Sequence, residues 1–377
     1  MHTDTSPTLL ITGGAGFIGS HLATELLQHG YHVRILDNLS PQVHGPERHR
    51  PGHLDRRAEV FVGDIRDPHS VQETLDGVDA VIHLAAVVGE RPSMYRIEKY
   101  MSVNTTGTAV LLEALLDHPI ERLVVASSSA VYGEGLYCSY NGTTYPKIRR
   151  SLHQAVRGDW EPRSPDGEVI YPLPTPETKE VSPLSVYAIS KYDQEEMCRM
   201  IGEAYGIPTT ILRLFNVYGP HQRYANPYSG MLTEYASRLL QDLPVRLFED
   251  GYQQRDFVSV YDVARAFRLA LESPGAAGGT FNIGSGRPYT FRTAATLLAT
   301  ITRRQHLAPE VTETGRVGDI RHCIADISRA WEVLGYTPQV PLEAGLLELA
   351  AWVETEIARR QPVASPINVP ASSRLRV

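Results

Sequence analysis

The stretch Thr8-Leu-Leu-Ile-Thr-Gly-Gly-Ala-Gly-Phe-Ile-Gly19 decides the fold class of this 377-residue chain. A short apolar run leads into a turn that contains Gly13, Gly16 and Gly19, and a helical pattern follows from His21 to His29. Glycine is needed where a turn is tight and where the backbone must approach a pyrophosphate closely. The N-terminus of the following helix supplies N–H donors to the same group. The stretch therefore predicts a strand–turn–helix unit that binds a nucleotide.

Alternating strand and helix patterns continue after this unit. Further strand patterns are His32–Leu36, Val60–Val62, Ala80–Leu84, Leu123–Ala126 and Thr209–Leu214, and helical patterns are Asn104–Leu116 and Ser185–Tyr205. Such alternation predicts an α/β fold: a Rossmann-type, doubly wound parallel sheet with helices on both faces. We expect a dinucleotide-binding domain over residues 8–216, with strands returning near 257–284. Residues 217–256 and 285–360 would form a smaller C-terminal α/β lobe for the substrate.

Two segments break this pattern. Residues 134–183 are rich in Pro, Gly, Tyr and Arg. They form either an ordered insertion on the substrate side or a flexible linker, and the sequence leaves both alternatives open. Residues 361–377 contain Pro, Ser and Arg without periodicity, which predicts a flexible tail.

Composition and charge argue against several classes of protein. A net charge of −7 disfavours a nucleic-acid binder, which needs a basic face. The chain has no run of about 18 apolar residues that could span a membrane, and its first seven residues lack the pattern of a signal peptide. Cys138, Cys198 and Cys323 are widely spaced, so no metal site is expected. These features predict a soluble cytoplasmic protein.

An aspartate at the end of the second strand indicates which dinucleotide binds. Asp37 lies 24 positions after Gly13, where a carboxylate can hold both ribose hydroxyls. The carboxylate would repel a 2′-phosphate, and no Arg follows at once, so NAD is favoured over NADP. Asp64 and Ile65, after the third strand, are placed to meet the adenine.

Two further elements carry the chemistry. Ser127, Ser128 and Ser129 end the fifth strand, at the carboxyl edge where ligands bind in open α/β sheets. Tyr187 and Lys191 lie four positions apart, on one face of a helix. A hydroxyl of the serine cluster can bond the substrate hydroxyl that is oxidised, and Tyr187 is expected to act as general base. Its ordinary pKa of about 10 would be lowered by Lys191 and by a positive nicotinamide ring.

Together with other motifs, these elements make the chain resemble an extended short-chain dehydrogenase/reductase of the nucleotide-sugar epimerase/dehydratase family. The matching blocks run from residue 8 to about 330 and are Thr12–Gly19, Gly63–Asp67, His83–Ala86, Asn104, Ser127–Gly133, Tyr187–Lys191, Arg213–Pro220, Arg255–Val260, Phe281–Gly284 and Arg316–Asp319. By this resemblance Ser128 joins Tyr187 and Lys191 as a catalytic residue. The helices from Asn104 and from Ser185 would pair across a two-fold axis, so a homodimer is expected.

The resemblance also implies which residues contact the ligands. Those expected to bind NAD are Gly13, Gly16, Phe17, Ile18, Gly19, Asp37, Asn38, Asp64, Ile65, Leu84, Ala85, Ala86, Asn104, Ser127, Tyr187 and Lys191. Ser129 would contact the nucleoside-diphosphate sugar, and its diphosphate would be bound by Asn216, Arg255 and Arg316. Guanidinium groups suit this role because they pair with phosphate in a bidentate fashion. Arg91, in the loop after the fourth strand, could meet an acidic sugar such as a uronate.

The residues after Ser128 distinguish between reactions of this family. In 4,6-dehydratases an Asp-Glu pair follows the catalytic Thr and performs the elimination, and uronate decarboxylases carry a Glu two positions after the Ser or Thr. This chain has Ser128-Ser129-Ala130, without a carboxylate at either place. The resemblance therefore implies a 4-epimerase, in which the keto-sugar rotates and hydride returns to its opposite face.

A narrower similarity favours one sugar. The segments Asp37–Gly45, Ser93–Tyr95, Gly158–Glu161 and Asn226–Gly230 resemble bacterial epimerases that act on dTDP-L-rhamnose and related sugars. Those relatives often carry cysteine pairs resembling a zinc knuckle, but here Cys138 stands alone in the insertion, and no zinc is expected. The alternatives are 4-epimerisation of UDP-glucose or UDP-glucuronate, a nucleotide-sugar 4-ketoreductase and a non-enzymatic NAD-binding protein.

Overall fold

The computed structural model describes residues 6–45, 48–151, 153–154, 157–222, 230–314 and 319–360, with Arg91 and Arg360 described by their backbone alone. The strands are β1 (Thr8–Thr12), β2 (His32–Asp37), β3 (Glu59–Val62), β4 (Ala80–His83), β5 (Arg122–Ser128), β6 (Leu136–Cys138), β7 (Thr144–Tyr145), β8 (Tyr171–Leu173), β9 (Thr209–Leu214), β10 (Asn216–Tyr218), β11 (Arg246–Leu247), β12 (Gln254–Ser259), β13 (Thr280–Ile283), β14 (Pro288–Thr290), β15 (Glu310–Val311) and β16 (His322–Cys323). The helices are α1 (Phe17–Gln28), α2 (Pro41–His44), α3 (Pro68–Leu75), α4 (Glu90–Ser93), α5 (Ile97–Tyr100), α6 (Gly107–Asp117), α7 (Val186–Tyr205), α8 (Met231–Leu240), α9 (Val260–Glu272), α10 (Phe291–Ile301), α11 (Ser328–Leu334) and α12 (Leu342–Arg360).

A parallel sheet forms the centre of the described chain. Its strand order is β13-β9-β5-β4-β1-β2-β3, and every neighbouring pair runs in parallel. Leu9, Leu10 and Ile11 of β1 are all buried, as expected for a strand covered on both faces. The strand order reverses direction between β1 and β4, and such a switch point opens a crevice at the carboxyl ends of the strands. The predicted Rossmann-type, doubly wound fold is confirmed.

Helices cover both faces of this sheet. On one face α1 packs against α9, and the buried side chains there include Leu22, Leu26 and Phe267. On the other face α6 packs against α7, with Leu111 and Leu115 in the core. Both layers are apolar on the side that meets the sheet, which fixes the positions of the loops at the carboxyl edge.

The C-terminal half supplies a smaller second lobe. The strands β10, β12, β14 and β16 pair with one another there, while β13 returns to the large sheet. Helices α8, α10 and α12 pack together around buried residues such as Leu239, Leu298 and Leu349. None of the described helices is long and apolar enough to cross a membrane.

The insertion is folded and fastened to the second lobe. Strands β6, β7 and β8 form a three-stranded antiparallel sheet. The guanidinium of Arg321, which is fully buried, bonds Glu161 of the insertion as well as Glu249 and Asp250 of the second lobe. The backbone N–H of Arg321 donates to Glu134 at 2.9 Å. The described part of the segment therefore contains a small sheet and buried contacts to the C-terminal half, which favour the interpretation as an ordered insertion, whereas the tail from residue 361 lies outside the described residues.

Candidate active site

The glycine-rich turn between β1 and α1 forms a cradle at the carboxyl edge of the sheet. Gly13 has a φ of +70°, and a Cβ there would lie 2.9 Å from the Cα of Ala85. A Cβ on Gly19 would lie 2.5 Å from the Cα of Gly14. Only glycine tolerates these approaches, and they let α1 begin at Phe17, four residues before the helical pattern read from the sequence. The turn has the shape that a dinucleotide pyrophosphate needs.

A cavity of about 1380 Å³ runs along this edge and collects most of the residues predicted to bind NAD. The predicted residues that line it are Gly13, Gly16, Phe17, Ile18, Gly19, Asp37, Asn38, Ile65, Leu84, Ala85, Ala86, Ser127, Tyr187 and Lys191. Asn216, predicted for the substrate, lines the same cavity. One continuous cavity therefore contains the cradle, the Tyr–Lys pair and a residue of the second lobe.

Asp37 lies at the end of β2, beside the cradle. Its Oδ2 accepts the N–H of Ala15 at 3.1 Å, and its Oδ1 accepts the N–H of Leu39 at 2.9 Å. His44 Nε2 lies 3.5 Å from the same Oδ1. These contacts fix the carboxylate at the wall of the cavity, where ribose hydroxyls can reach its remaining lone pairs.

The acidic residue after β3 lies slightly farther out. Asp64 accepts two side-chain bonds and one backbone bond from Arg66, and Asn38 donates to it at 3.2 Å. The side-chain bonds from Arg66 lower the pKa of Asp64 to about 2, so the carboxylate is ionised. Asp64 borders a smaller adjoining cavity together with Asn38. Contact of Asp64 with adenine stays a prediction.

Asn104 braces the loop after β4. Its side chain bonds both the N–H and the carbonyl of Val87, at 2.7 and 3.1 Å, and donates to Ser190 Oγ at 2.9 Å. The residue is fully buried in an irregular, π-helical turn over Met101–Thr106. Asn104 thus ties the loop that follows Ala86 to α7, and its direct contact with the cofactor stays a prediction.

Tyr187 lines the cavity, and the Ser128 side chain lies close enough to act on the Tyr187 hydroxyl. Burial raises the pKa of Tyr187 to about 12, and the Ser128 hydroxyl acts in the opposite direction. The Tyr187 ring lies edge-on to that of Tyr100, with 6.3 Å between centroids. Tyr100 in turn donates to the carbonyl of Val88 at 2.7 Å. The Tyr187 ring therefore packs against a side chain that is bonded to the loop after β4. The arrangement suits a general base that needs a nearby positive charge to ionise.

Lys191 supplies that charge from the next turn of α7. The side chain is buried, and burial lowers the pKa of its amine to about 8. The neighbouring Ser127 of the strand is bonded to Glu195, so its hydroxyl is turned away from the serine–tyrosine pair. Tyr187 and Lys191 both line the cavity, and Ser128 lies beside Tyr187. The catalytic roles of these three residues stay predictions.

The predicted substrate residues are only partly placed. Arg255 donates to the carbonyls of Ile320 and Arg321 and lies 5.2 Å from the ring centroid of Phe291. Ser129 begins the short helical turn after β5 and is partly exposed. The side chain of Arg91 and all of Arg316 lie outside the described residues. The diphosphate site therefore stays a prediction.

Glu90 is a residue that sequence reasoning missed. It begins α4, which packs against α7, and its own carbonyl accepts a bond from the Ser93 hydroxyl. Burial raises the pKa of its carboxyl, and its charge acts on Tyr187 and is balanced in part by Arg255. An acidic residue directly after the loop that follows β4 was the signal that could have found it, since that loop borders the ligand in this fold.

Fold and site together define a short-chain dehydrogenase/reductase. Its dinucleotide cradle, the ribose-side aspartate and the Tyr–Lys pair all lie along one edge of one sheet. The residues present fit NAD. The glycine-rich turn lets a pyrophosphate approach the backbone, and the carboxylate of Asp37 would repel the 2′-phosphate of NADP.

Known proteins identify the family. Residues 9–152 and 164–284 match the model of the NAD dependent epimerase/dehydratase family. The dTDP-L-rhamnose 4-epimerase of Burkholderia thailandensis is 36% identical over 360 residues, 93% of this chain and 96% of that protein. The UDP-glucuronate 4-epimerase of Thermodesulfobacterium geofontis is 27% identical over 359 residues, 92% of this chain and 96% of that protein. A solved structure, UDP-glucose 4-epimerase of Thermotoga maritima with UDP-glucose, has a TM-score of 0.77 and 30% identity, covering 93% of this chain and 99% of that one. The chain belongs to the NAD-dependent epimerase/dehydratase family, and its cofactor is NAD.

Proposed function

We propose that this protein catalyses the NAD-dependent 4-epimerisation of a nucleoside-diphosphate sugar, with dTDP-L-rhamnose as the best candidate. The observation that carries the proposal is that Tyr187 and Lys191 line one cavity together with the glycine-rich turn, with the Ser128 side chain beside the Tyr187 hydroxyl. Elimination would need an acid–base pair after Ser128, and Ser129 and Ala130 stand there instead. The site can therefore oxidise and reduce a carbinol but has no evident means of losing water or carbon dioxide.

The chain's own residues divide the work of the reaction. Ser128 orients the sugar hydroxyl, Tyr187 removes its proton, and the positive charge of Lys191 stabilises the tyrosinate that this requires. When bound, NAD supplies the hydride acceptor and gives the hydride back within the same turnover. Between the two transfers the 4-keto sugar must rotate, so the diphosphate anchor predicted for Asn216 and Arg255 would hold while the sugar ring turns.

Similarity to curated relatives supports dTDP-L-rhamnose as the substrate over the other nucleotide sugars. The relative that acts on this sugar is 36% identical, against 27% for the UDP-glucuronate 4-epimerase. UDP-glucose and UDP-glucuronate are the next candidates. A 4-ketoreductase would consume reduced cofactor from outside, which an epimerase does not. A non-enzymatic NAD-binding protein is disfavoured because the serine, tyrosine and lysine are all present.

The test is proton NMR of dTDP-L-rhamnose incubated with the purified protein and catalytic NAD⁺. A second anomeric signal from a sugar of unchanged mass establishes 4-epimerisation and the substrate together. UDP-glucose and UDP-glucuronate are assayed in parallel. If no nucleotide sugar gives a second signal from protein that carries NAD, the proposed function is wrong.

The position of Glu90 leads to a prediction on substrate charge. We expect Glu90→Gln to raise kcat/KM for UDP-glucuronate relative to UDP-glucose about tenfold at pH 8, because a carboxylate beside Tyr187 repels a uronate. Burial raises the pKa of Glu90, so this carboxyl ionises at higher pH than an ordinary glutamate. We therefore expect discrimination against the uronate to strengthen as the pH rises through that range. Glu113→Gln, an exposed change of equal charge on α6, is the control. An unchanged ratio of the two kcat/KM values in the Glu90→Gln variant would contradict this role.

We also propose a homodimer in which α6 and α7 pair with their counterparts in a second copy. Large apolar side chains are exposed on these helices: Leu116, Ile189, Met200 and Tyr205. Covering them would remove apolar surface from water. Cytoplasmic location stays a prediction, and the free thiols of Cys138, Cys198 and Cys323 suit a reducing compartment.

A further inference from the structure

Gln194 lies behind the catalytic residues, one turn of α7 beyond Lys191, and it is fully buried. Lys191 Nζ donates to its Oε1 at 2.5 Å. Its Nε2 lies 2.7 Å from Thr108 Oγ1 and 2.9 Å from His83 Nε2. A lysine amine with three protons can only donate, so the amide oxygen must face Lys191 and the amide NH₂ must face the other two residues.

These bonds also decide the charge of His83. The Thr108 hydroxyl donates to the carbonyl of Asn104 at 2.5 Å, so its oxygen accepts from Gln194. The second amide hydrogen of Gln194 points to His83 Nε2, which also lies 2.9 Å from Thr108 Oγ1, and an Nε2 without a proton satisfies this arrangement. The proton of His83 is on Nδ1, which donates to Thr12 Oγ1 at 2.7 Å. The ring is neutral, in agreement with burial, which lowers its pKa to about 3.

The carboxylate next to Gln194 in sequence is occupied elsewhere. Glu195 accepts two bonds from Arg213, from Nε at 3.0 Å and from an NH₂ group at 2.7 Å. It also accepts the hydroxyl of Ser127. Both members of this ion pair are buried, so each largely compensates the other's charge. Among the residues that the structure describes, no carboxylate lies within hydrogen-bonding distance of the Lys191 amine.

We propose that Gln194 is a positioning residue that holds the Lys191 amine without adding a second negative charge to that of Glu195, which already acts on this amine. This rests on the proposed function, in which Tyr187 acts as a base. A glutamate in place of Gln194 could hold the amine equally well, but its charge would cancel much of the field that favours the tyrosinate. A neutral amide fixes the amine without that cancellation. The hydrogen-bond chain continues from Gln194 through His83 to Thr12. The Thr12 hydroxyl also accepts the N–H of Ala85, in the loop after β4, at 3.2 Å.

The test compares Gln194→Glu with the native chain, both loaded with NAD and labelled with ¹³C at tyrosine Cζ. The Tyr187 resonance is assigned by its absence from Tyr187→Phe. We expect the pKa of Tyr187 to rise by about one unit or more, because a nearby negative charge disfavours the tyrosinate. Tyr187 works in its ionised form, so the acid limb of kcat/KM should move to higher pH by the same amount. At neutral pH, kcat/KM should then fall about tenfold and recover in alkaline solution.

Two further variants keep the proposal open to contradiction. Gln194→Met removes the oxygen without adding charge, and we expect kcat to fall about tenfold while KM stays within about threefold and the acid limb keeps its position. Gln28→Glu adds the same charge at an exposed position on α1 and should leave the Tyr187 titration unchanged.

A folded Gln194→Glu variant with the native Tyr187 titration would overturn the electrostatic part of the proposal. A Gln194→Met variant with native kcat would overturn the positioning part, and this variant decides alone if the Gln194→Glu variant fails to fold. The titration is read without any sugar present. Failure to turn over nucleotide sugars would therefore contradict the proposed function while the titration still decided the role of Gln194.

Discussion

We expect Tyr187→Phe to lower kcat about 10³-fold, within the roughly 10² to 10⁴ that a positioned general base contributes. The hydroxyl beside Ser128 is lost, while the ring and its edge contact with Tyr100 are kept. NAD content should stay near that of the native chain, because the cradle at Gly13 is untouched. The measurement is turnover of the sugar that gives a signal with the native protein, together with the NAD bound per chain.

Tyr140→Phe is the matched control, since Tyr140 is 98% exposed. It should keep the native rate. If the Tyr187→Phe variant keeps more than about a tenth of the native kcat, another group removes the proton and the assignment of Tyr187 is wrong.

The second large effect is on stability. We expect Arg321→Met to lower the free energy of unfolding by about 3–5 kcal/mol, the cost of removing one member of a buried ionic cluster. Arg321 is fully buried, and its guanidinium bonds Glu161, Glu249 and Asp250 at distances of 2.5 to 3.0 Å. Methionine would leave these three carboxylates close together without their shared cation. The measurement is urea unfolding, and limited proteolysis reports whether the insertion comes loose first.

Arg163→Met provides the comparison within the insertion itself. Arg163 pairs with Asp159 at the surface, so its loss should leave the unfolding midpoint unchanged. Equal midpoints for the Arg321→Met variant and the native chain would show that the buried cluster does not fasten the insertion.

The sequence was sufficient for the elements whose chemistry is local. Gly19 is required by contacts within one strand–turn–helix unit, and Gly13 adopts a positive φ in the same turn, so the spacing of the glycines predicted the cradle. Tyr187 and Lys191 share a helix face, and helical geometry brings them together without reference to the rest of the fold. For the same reason the cavity contains nearly all the residues that motifs had assigned to it.

Residues whose role depends on distant partners could not be predicted. Arg321 meets Glu161 across 160 positions of sequence, and no periodic pattern announces such a pair. The insertion therefore had two open alternatives until its ion cluster was seen. Gln194 owes its role to His83 of β4, which it reaches only once α7 has packed on the sheet. Side-chain direction has the same limit: Ser127 lines the cavity, but the sequence does not show that its hydroxyl bonds Glu195.

The most direct test of the account follows a deuterium label at C4 of dTDP-L-rhamnose, or of whichever nucleotide sugar is turned over. The hydride that leaves C4 must return to it from the opposite face, so we predict that the product keeps the label at C4 and that no reduced cofactor accumulates. NMR of the product and absorbance of the reaction measure both. Loss of the label to solvent, or consumption of reduced cofactor in step with product, would contradict an epimerase that works through a transient 4-keto sugar.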